Sequence, residues 1–219
     1  MSELIIAVPK GRLLKPLIPL LDAIGLDGRI LITDSRRLVL TDAANQVRYI
    51  LAKPSDVPTY VEYGAADLGV VGKDVLMESG AQVAELLDLG FASCQLVVAV
   101  PRSLGIDGVE KLHFNSRVAT KYPRIATRYF NNLGLQVEIV KLHGSIELGP
   151  MVGLAEAILD ITETGSTLKA NDLVPIASVA PISARLIANP VKYKVHFQRI
   201  EALLDNLGAV VRGTHDASS

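Results

Sequence analysis

Two eight-residue stretches of this chain, 64–71 and 153–160, repeat one pattern, and that repeat narrows the possible folds more than any other feature. Gly64-Ala65-Ala66-Asp67-Leu68-Gly69-Val70-Val71 and Gly153-Leu154-Ala155-Glu156-Ala157-Ile158-Leu159-Asp160 each run from a helix-ending glycine through small residues and a carboxylate into a buried strand. Two copies of one supersecondary unit predict two similar lobes. Chance is the competing account, because Gly, Ala and Val are common in this chain. The expected division places 1–90 plus 181–208 in a first, discontinuous lobe and 91–180 in a second, continuous one, with 209–219 as a frayed tail. The chain then crosses near 90–93 and recrosses after Ala180, where Pro181 and Ser183 are read as opening a helix. A ligand is expected in the cleft between the lobes, outside the carboxyl ends of both sets of strands.

Short β-branched runs alternate with helical spacing through most of the sequence, the rhythm of an α/β protein with mixed, mostly parallel sheets. Residues 4–8 read as a buried strand. Leu13, Leu14, Leu17, Ile18, Leu21 and Ile24 recur at helical intervals until Gly25 supplies a stop, which leaves Pro9-Lys10-Gly11-Arg12 as the intervening loop. Residues 38–41 and 47–52, separated by a polar turn at Asp42 and Asn45, form an expected hairpin. Ser55 or Asp56 is expected to cap a short helix that ends at Gly64.

Charge and hydropathy exclude several function classes. With 219 residues, 49% hydrophobic, the chain can bury a large core, so disorder is not expected. Lys and Arg number 22 against 23 Asp and Glu, so nothing draws the whole molecule to nucleic acid or an acidic membrane, and any anion site must be local. The single cysteine, Cys94, rules out an intrachain disulfide and fits a reducing, cytoplasmic compartment. The apolar N-terminal run lacks a preceding basic region and is too short for a signal peptide or membrane span.

Chemistry concentrates in Asp160-Ile161-Thr162-Glu163-Thr164-Gly165-Ser166-Thr167-Leu168, a strand end followed by a hydroxyl-rich glycine turn. The hydroxyls of Thr164, Ser166 and Thr167 and the N–H groups around Gly165 suit a phosphate, and a helix expected to start near Thr167 would turn its positive end toward it. Asp160 can hold sugar hydroxyls or a metal, and Glu147, after Gly144-Ser145, supplies a second carboxylate. Phosphorylated ribose is the ligand class these residues favour. The plainer alternative is a solvent-exposed loop in which Thr164 or Ser166 only caps a helix.

The same loop resembles the phosphoribosyl-diphosphate loop of the ATP phosphoribosyltransferase family. Ala7-Val8-Pro9-Lys10-Gly11-Arg12-Leu13, Ser55-Asp56-Val57-Pro58-Thr59-Tyr60-Val61, residues 66–74, Ala119-Thr120-Lys121-Tyr122-Pro123 and Gly144-Ser145-Ile146-Glu147 resemble that family in order, over almost the whole chain. The resemblance implies two lobes like those of type II periplasmic binding proteins. It further implies transfer of phosphoribosyl from phosphoribosyl diphosphate to N1 of ATP with magnesium, the first step of histidine biosynthesis. The chain ends where longer members carry a regulatory domain, so the short form is expected: a homodimer within a larger assembly containing a regulatory subunit related to histidyl-tRNA synthetase.

As the anomeric bond breaks, positive charge grows on the sugar and negative charge on pyrophosphate. Glu147 and Asp160 are therefore expected at the ribose, directly or through magnesium, and Lys10 at the leaving group. Thr162, Glu163, Thr164, Gly165, Ser166 and Thr167 are expected to bind phosphoribosyl diphosphate; Lys10, Gly11, Arg12, Leu13, Lys53, Asp74 and Cys94 are implied for ATP. Lys53 stands where the family pattern has arginine, keeping the charge without the planar fork. For Asp74 helix capping is a sufficient structural account, and for Cys94 packing is. Gly11, Gly72 and Gly165 are read as permitting close backbone approach, and His113, His143, His196 and His215 as structural or surface residues without metal spacing. The runner-up function is a noncatalytic two-lobed sensor of a small anion, since the fold can close on a ligand without chemistry.

Overall fold

The computed structural model describes residues 3–33 and 36–216. Two compact units divide the chain, one of residues 1–92 and 183–219, the other of residues 93–182. The first holds β1 (Leu4–Pro9), β2 (Val39–Asp42), β3 (Val47–Ala52), β4 (Leu68–Gly72) and β5 (Ala84–Asp88). The second holds β6 (Cys94–Pro101), β7 (Arg117–Thr120), β8 (Glu138–Lys141), β9 (Ala157–Thr162) and β10 (Leu173–Ile182), after which β11 (Ala184–Ala188) returns to the first. The strand orders are β2-β3-β1-β4-β11-β5 and β10-β6-β9-β7-β8. Among the described residues, parallel pairing is confined to the triplets β3-β1-β4 and β8-β7-β9 and every other pairing is antiparallel, a larger antiparallel share than expected.

Packing on both faces explains why the central strands read as unbroken apolar runs. Leu4, Ile6 and Val8 face a core that includes Leu17 and Leu21 of α1 (Leu14–Ala23), while Ala7 faces Val57 and Val61 of α2 (Val57–Glu62). In the second unit Ala119, Ile158, Val97 and Leu173 pack together. The other α-helices among the described residues are α3 (Lys73–Ser79), α4 (Pro123–Asn132), α5 (Leu148–Met151), α6 (Ser166–Ala170), α7 (Pro190–Val195) and α8 (Phe197–Asp216).

The repeat has a structural counterpart. The Asp67 carboxylate accepts the Ile5 N–H at 2.7 Å, and the Glu156 carboxylate accepts the Arg117 N–H at 2.6 Å. In each case the carboxylate precedes one parallel strand (β4 or β9) and clasps the start of the next (β1 or β7).

Three local expectations are corrected. Pro181 and Ser183 open no helix: residues 184–188 pair with both β4 and β5, and the helix begins at Pro190, where the Asn189 side chain accepts the Val191 and Lys192 N–H groups. The expected frayed tail is instead helical from 209 to 216, because Leu207 and Val211, one turn apart, are both buried; residues 217–219 and the side chain of His215 lie outside the described residues. Asp56 occupies the position before α2 without making a side-chain cap, and receives the Ser55 hydroxyl instead.

Candidate active site

β9 delivers Asp160 and Thr162 to a turn whose shape is set by its own hydroxyls. Thr162 Oγ1 accepts the Gly165 N–H at 3.0 Å, and Thr164 Oγ1 donates to Ser166 Oγ at 2.9 Å. Gly165 has φ +74° with open space where a Cβ would stand, so the left-handed backbone, not close approach, demands glycine here; the same holds at Gly11, with φ +93°. At Gly72, by contrast, an added Cβ would fall 2.3 Å from Asp74 Oδ1. Leu168, buried in the second core, ties α6 to the sheet. α6 begins at Ser166, one residue earlier than expected, and has five residues. So short a helix has little macrodipole, and local N–H groups and hydroxyls must carry any preference for anions.

Glu147 reaches the same place from another element. It immediately precedes α5, which follows the buried Ile146 and lies so close to β7 that a Cβ on Gly149 would meet Ala119 Cβ at 2.8 Å. Glu147, Asp160 and residues 161–168 line a pocket of about 220 Å³. The structure thus brings together both carboxylates expected at the ribose and all six residues expected to bind phosphoribosyl diphosphate. Asp160 Oδ1 accepts the Ile161 N–H at 2.8 Å, and Lys121 Nζ lies 3.9 Å from the same oxygen. Sequence reasoning noted Lys121 only as part of a motif, because its closeness to Asp160 follows from β7 and β9 being parallel neighbours.

The residues expected to bind ATP fall mostly at strand ends of the first unit. Lys10 follows β1 and donates its N–H to the Ala52 carbonyl at 2.9 Å, while Lys53 follows β3; both side chains are exposed, as is Arg12. Leu13 is buried beneath that loop. Asp74 is buried in the first turn of α3, whose N-cap is Gly72 rather than Asp74. Cys94, half-buried, opens β6 in the other unit opposite Ile182. His196 lies with Nε2 3.9 Å from the buried Asp67, in keeping with a structural part, and His113 and His143 are exposed. Among the described residues no three His, Cys, Asp or Glu side chains cluster for a metal, and no helix is long and apolar enough to cross a membrane.

Hydrogen bonding perturbs one clasp carboxylate clearly. The Arg117 guanidinium holds the Glu156 carboxyl below its ordinary range, and burial opposes this only in part. On β3, burial pushes the Tyr49 phenol well above its ordinary value, reinforced by nearby Asp42.

The profile of the HisG family, ATP phosphoribosyltransferase, matches residues 53–209. The ATP phosphoribosyltransferase of Moorella thermoacetica is 50% identical over 208 residues, covering 93% of this chain and 91% of its own. Among solved structures, the ATP phosphoribosyl transferase (HisG:HisZ) complex from Thermotoga maritima superposes with a TM-score of 0.82 at 31% identity, over 96% of this chain and 99% of that one. The alkanesulfonate-binding protein SsuA of Xanthomonas axonopodis pv. citri, 13% identical with a TM-score of 0.57 over all of this chain and 77% of its own, shares the two-lobed periplasmic-binding-protein fold alone. The chain belongs to the ATP phosphoribosyltransferase family.

Proposed function

We propose that the pocket at the end of β9 is the phosphoribosyl-diphosphate subsite. The family activity is transfer of phosphoribosyl from phosphoribosyl diphosphate to N1 of ATP, with release of pyrophosphate, at the first step of histidine biosynthesis. The observation that carries the placement is the convergence of Glu147, Asp160 and the 162–167 turn on one small cavity. A phosphate lies against the turn hydroxyls and N–H groups, and the two carboxylates face the ribose, where their charge stabilises the cationic sugar of the transition state. Neither carboxylate acts as a base, because adenine N1 is already nucleophilic, and orientation supplies much of the acceleration.

Magnesium fits these residues, since it is ordinarily held by one or two carboxylates together with substrate phosphate oxygens rather than by a full protein cage. Glu147 and Asp160 would hold it, and its charge would ease departure of pyrophosphate. In the first unit, Lys10, Gly11, Arg12, Leu13, Lys53 and Asp74 form the proposed ATP subsite, with the cations directed at polyphosphate. The lone thiol of Cys94 supports a cytoplasmic setting. A regulatory HisZ-type subunit is the proposed partner of a catalytic homodimer, supported by likeness to the Thermotoga maritima complex.

A crystal soaked with phosphoribosyl diphosphate tests the placement. Density over the 162–167 turn is expected, and density elsewhere overturns it. Formation of phosphoribosyl-ATP by the purified chain, with and without a HisZ-type subunit, tests the activity and the partnership.

A further inference from the structure

The proposed sugar-phosphate pocket has an unbalanced lining. Its side chains include three carboxylates, those of Glu147, Asp160 and Glu163, and no Lys or Arg. A pocket so lined repels a polyanion unless positive charge stands close by. Lys121 stands there, immediately after β7, half-buried, with Nζ 3.9 Å from Asp160 Oδ1. That separation is an ion pair but longer than a hydrogen bond, so the ammonium keeps donors to offer.

The ammonium is held in place rather than left to roam. Nζ lies 4.8 Å from the centroid of the Tyr122 ring, within the range of a cation–π contact, and Tyr122 is only 3% exposed. The backbone beneath is fixed as well. Thr120 Oγ1 donates to the Leu159 carbonyl at 2.7 Å and accepts the Tyr122 N–H at 2.9 Å, which joins the turn after β7 to the residue preceding Asp160.

We infer that Lys121 is a further binding residue for phosphoribosyl diphosphate, its Nζ exchanging the long ion pair with Asp160 for a phosphate oxygen of the ligand while the Tyr122 face keeps it aimed. This rests on the pocket reading proposed above. No bond is made or broken at Lys121: it contributes charge and three donors, and its departure leaves the Asp160 carboxylate to the ribose side.

Titration calorimetry on the intact chain, with phosphoribosyl diphosphate, inorganic pyrophosphate and ribose 5-phosphate as separate probes, provides the test. Lys121→Met is expected to weaken phosphoribosyl diphosphate by about tenfold or more, the effect of one charged phosphate contact, with ATP affinity within about twofold of the parent. Lys121→Arg restores most of the loss. Weakening of pyrophosphate alone or of ribose 5-phosphate alone supports the inference and tells which phosphate is met. Unchanged affinity for all three probes in Lys121→Met overturns it. The paired loop variant Thr164→Ala/Ser166→Ala separates the two ideas: loop weakening with no Lys121 effect sinks the lysine alone, whereas no effect in either variant sinks the pocket reading and the lysine with it. Loss of ATP affinity in Lys121→Met, with no recovery in Lys121→Arg, marks general damage and also counts against it.

Discussion

Asp67 and Glu156 do the same job in the two units, yet the strand ends above them differ in kind. Each carboxylate clasps the first residues of a neighbouring parallel strand, Ile5 or Arg117. At the opposite, carboxyl ends, the first unit carries Lys10, Arg12 and Lys53, whereas the second carries Glu147, Asp160 and the hydroxyls of Thr162 and Thr164. One backbone plan therefore serves two chemistries. Residues that hold the strands together are constrained by packing and hydrogen bonding, while those in the loops beyond are left to specialise.

Breaking the second unit's strand-end chemistry has the largest expected effect. Asp160→Asn or Glu147→Gln is expected to lower kcat by about two to three orders of magnitude, the usual loss when transition-state charge is left unopposed, with an unchanged thermal melt. Near-normal kcat in both variants removes these carboxylates from the mechanism.

Breaking the clasps ranks next and separates the two units by burial. Asp67 is 2% exposed and also pairs with Lys192 at 3.6 Å, so Asp67→Ala is expected to destabilise by about 3 kcal/mol through an orphaned N–H and a lost buried charge. The Glu156 side chain is 40% exposed, and Glu156→Ala is expected to cost only about 1 kcal/mol, because water replaces part of what is lost. Urea unfolding measures both, and equal losses would end the distinction. Acid sharpens it: because the folded Glu156 pKa is depressed by Arg117, its stabilisation is present above the ordinary value of 4.5 and is lost as pH falls through the lower folded value. Glu156→Gln is expected to reduce that acid-side slope.

The smallest effect lies at Lys53. Lys53→Arg, which supplies a forked guanidinium, is expected to lower the KM for ATP by about threefold and leave that for phosphoribosyl diphosphate unchanged. An unchanged ATP KM would mean that residue 53 does not meet the nucleotide.

Much of this scaffold was legible in the residues, and the misreadings have physical causes. β1, the β2–β3 hairpin and the 162–167 turn announce themselves through local patterns: a continuous apolar run, two runs around a polar turn, and hydroxyls flanking a glycine. β11 was misread because Pro181 and Ser183 imitate a helix start, while its strand character comes from pairing with β4 and β5, both distant in sequence. The segment after Gly208 reads as a frayed tail because it is short and polar at its end, yet the burial of Leu207 and Val211 carries α8 on to Asp216. At the site, Asp160 and Glu147 could each be picked out singly. Their common pocket, and Lys121 beside it, depend on the adjacency of β7 and β9, which no local pattern encodes.

The pairing of Cys94 with Ile182 across β6 and β10 has a practical consequence. The second unit begins and ends at facing backbone positions, about one strand spacing apart, roughly 5 Å. In the first unit the Ala184 N–H donates to the Phe91 carbonyl at 3.0 Å, so the two cut ends there are neighbours as well. Residues 93–182 are thus an insertion that can be excised, and the parent rejoined with a short loop, without stretching either piece. Each half becomes a candidate for separate cloning, in which the proposed sugar-phosphate subsite and the proposed ATP subsite can be titrated one at a time.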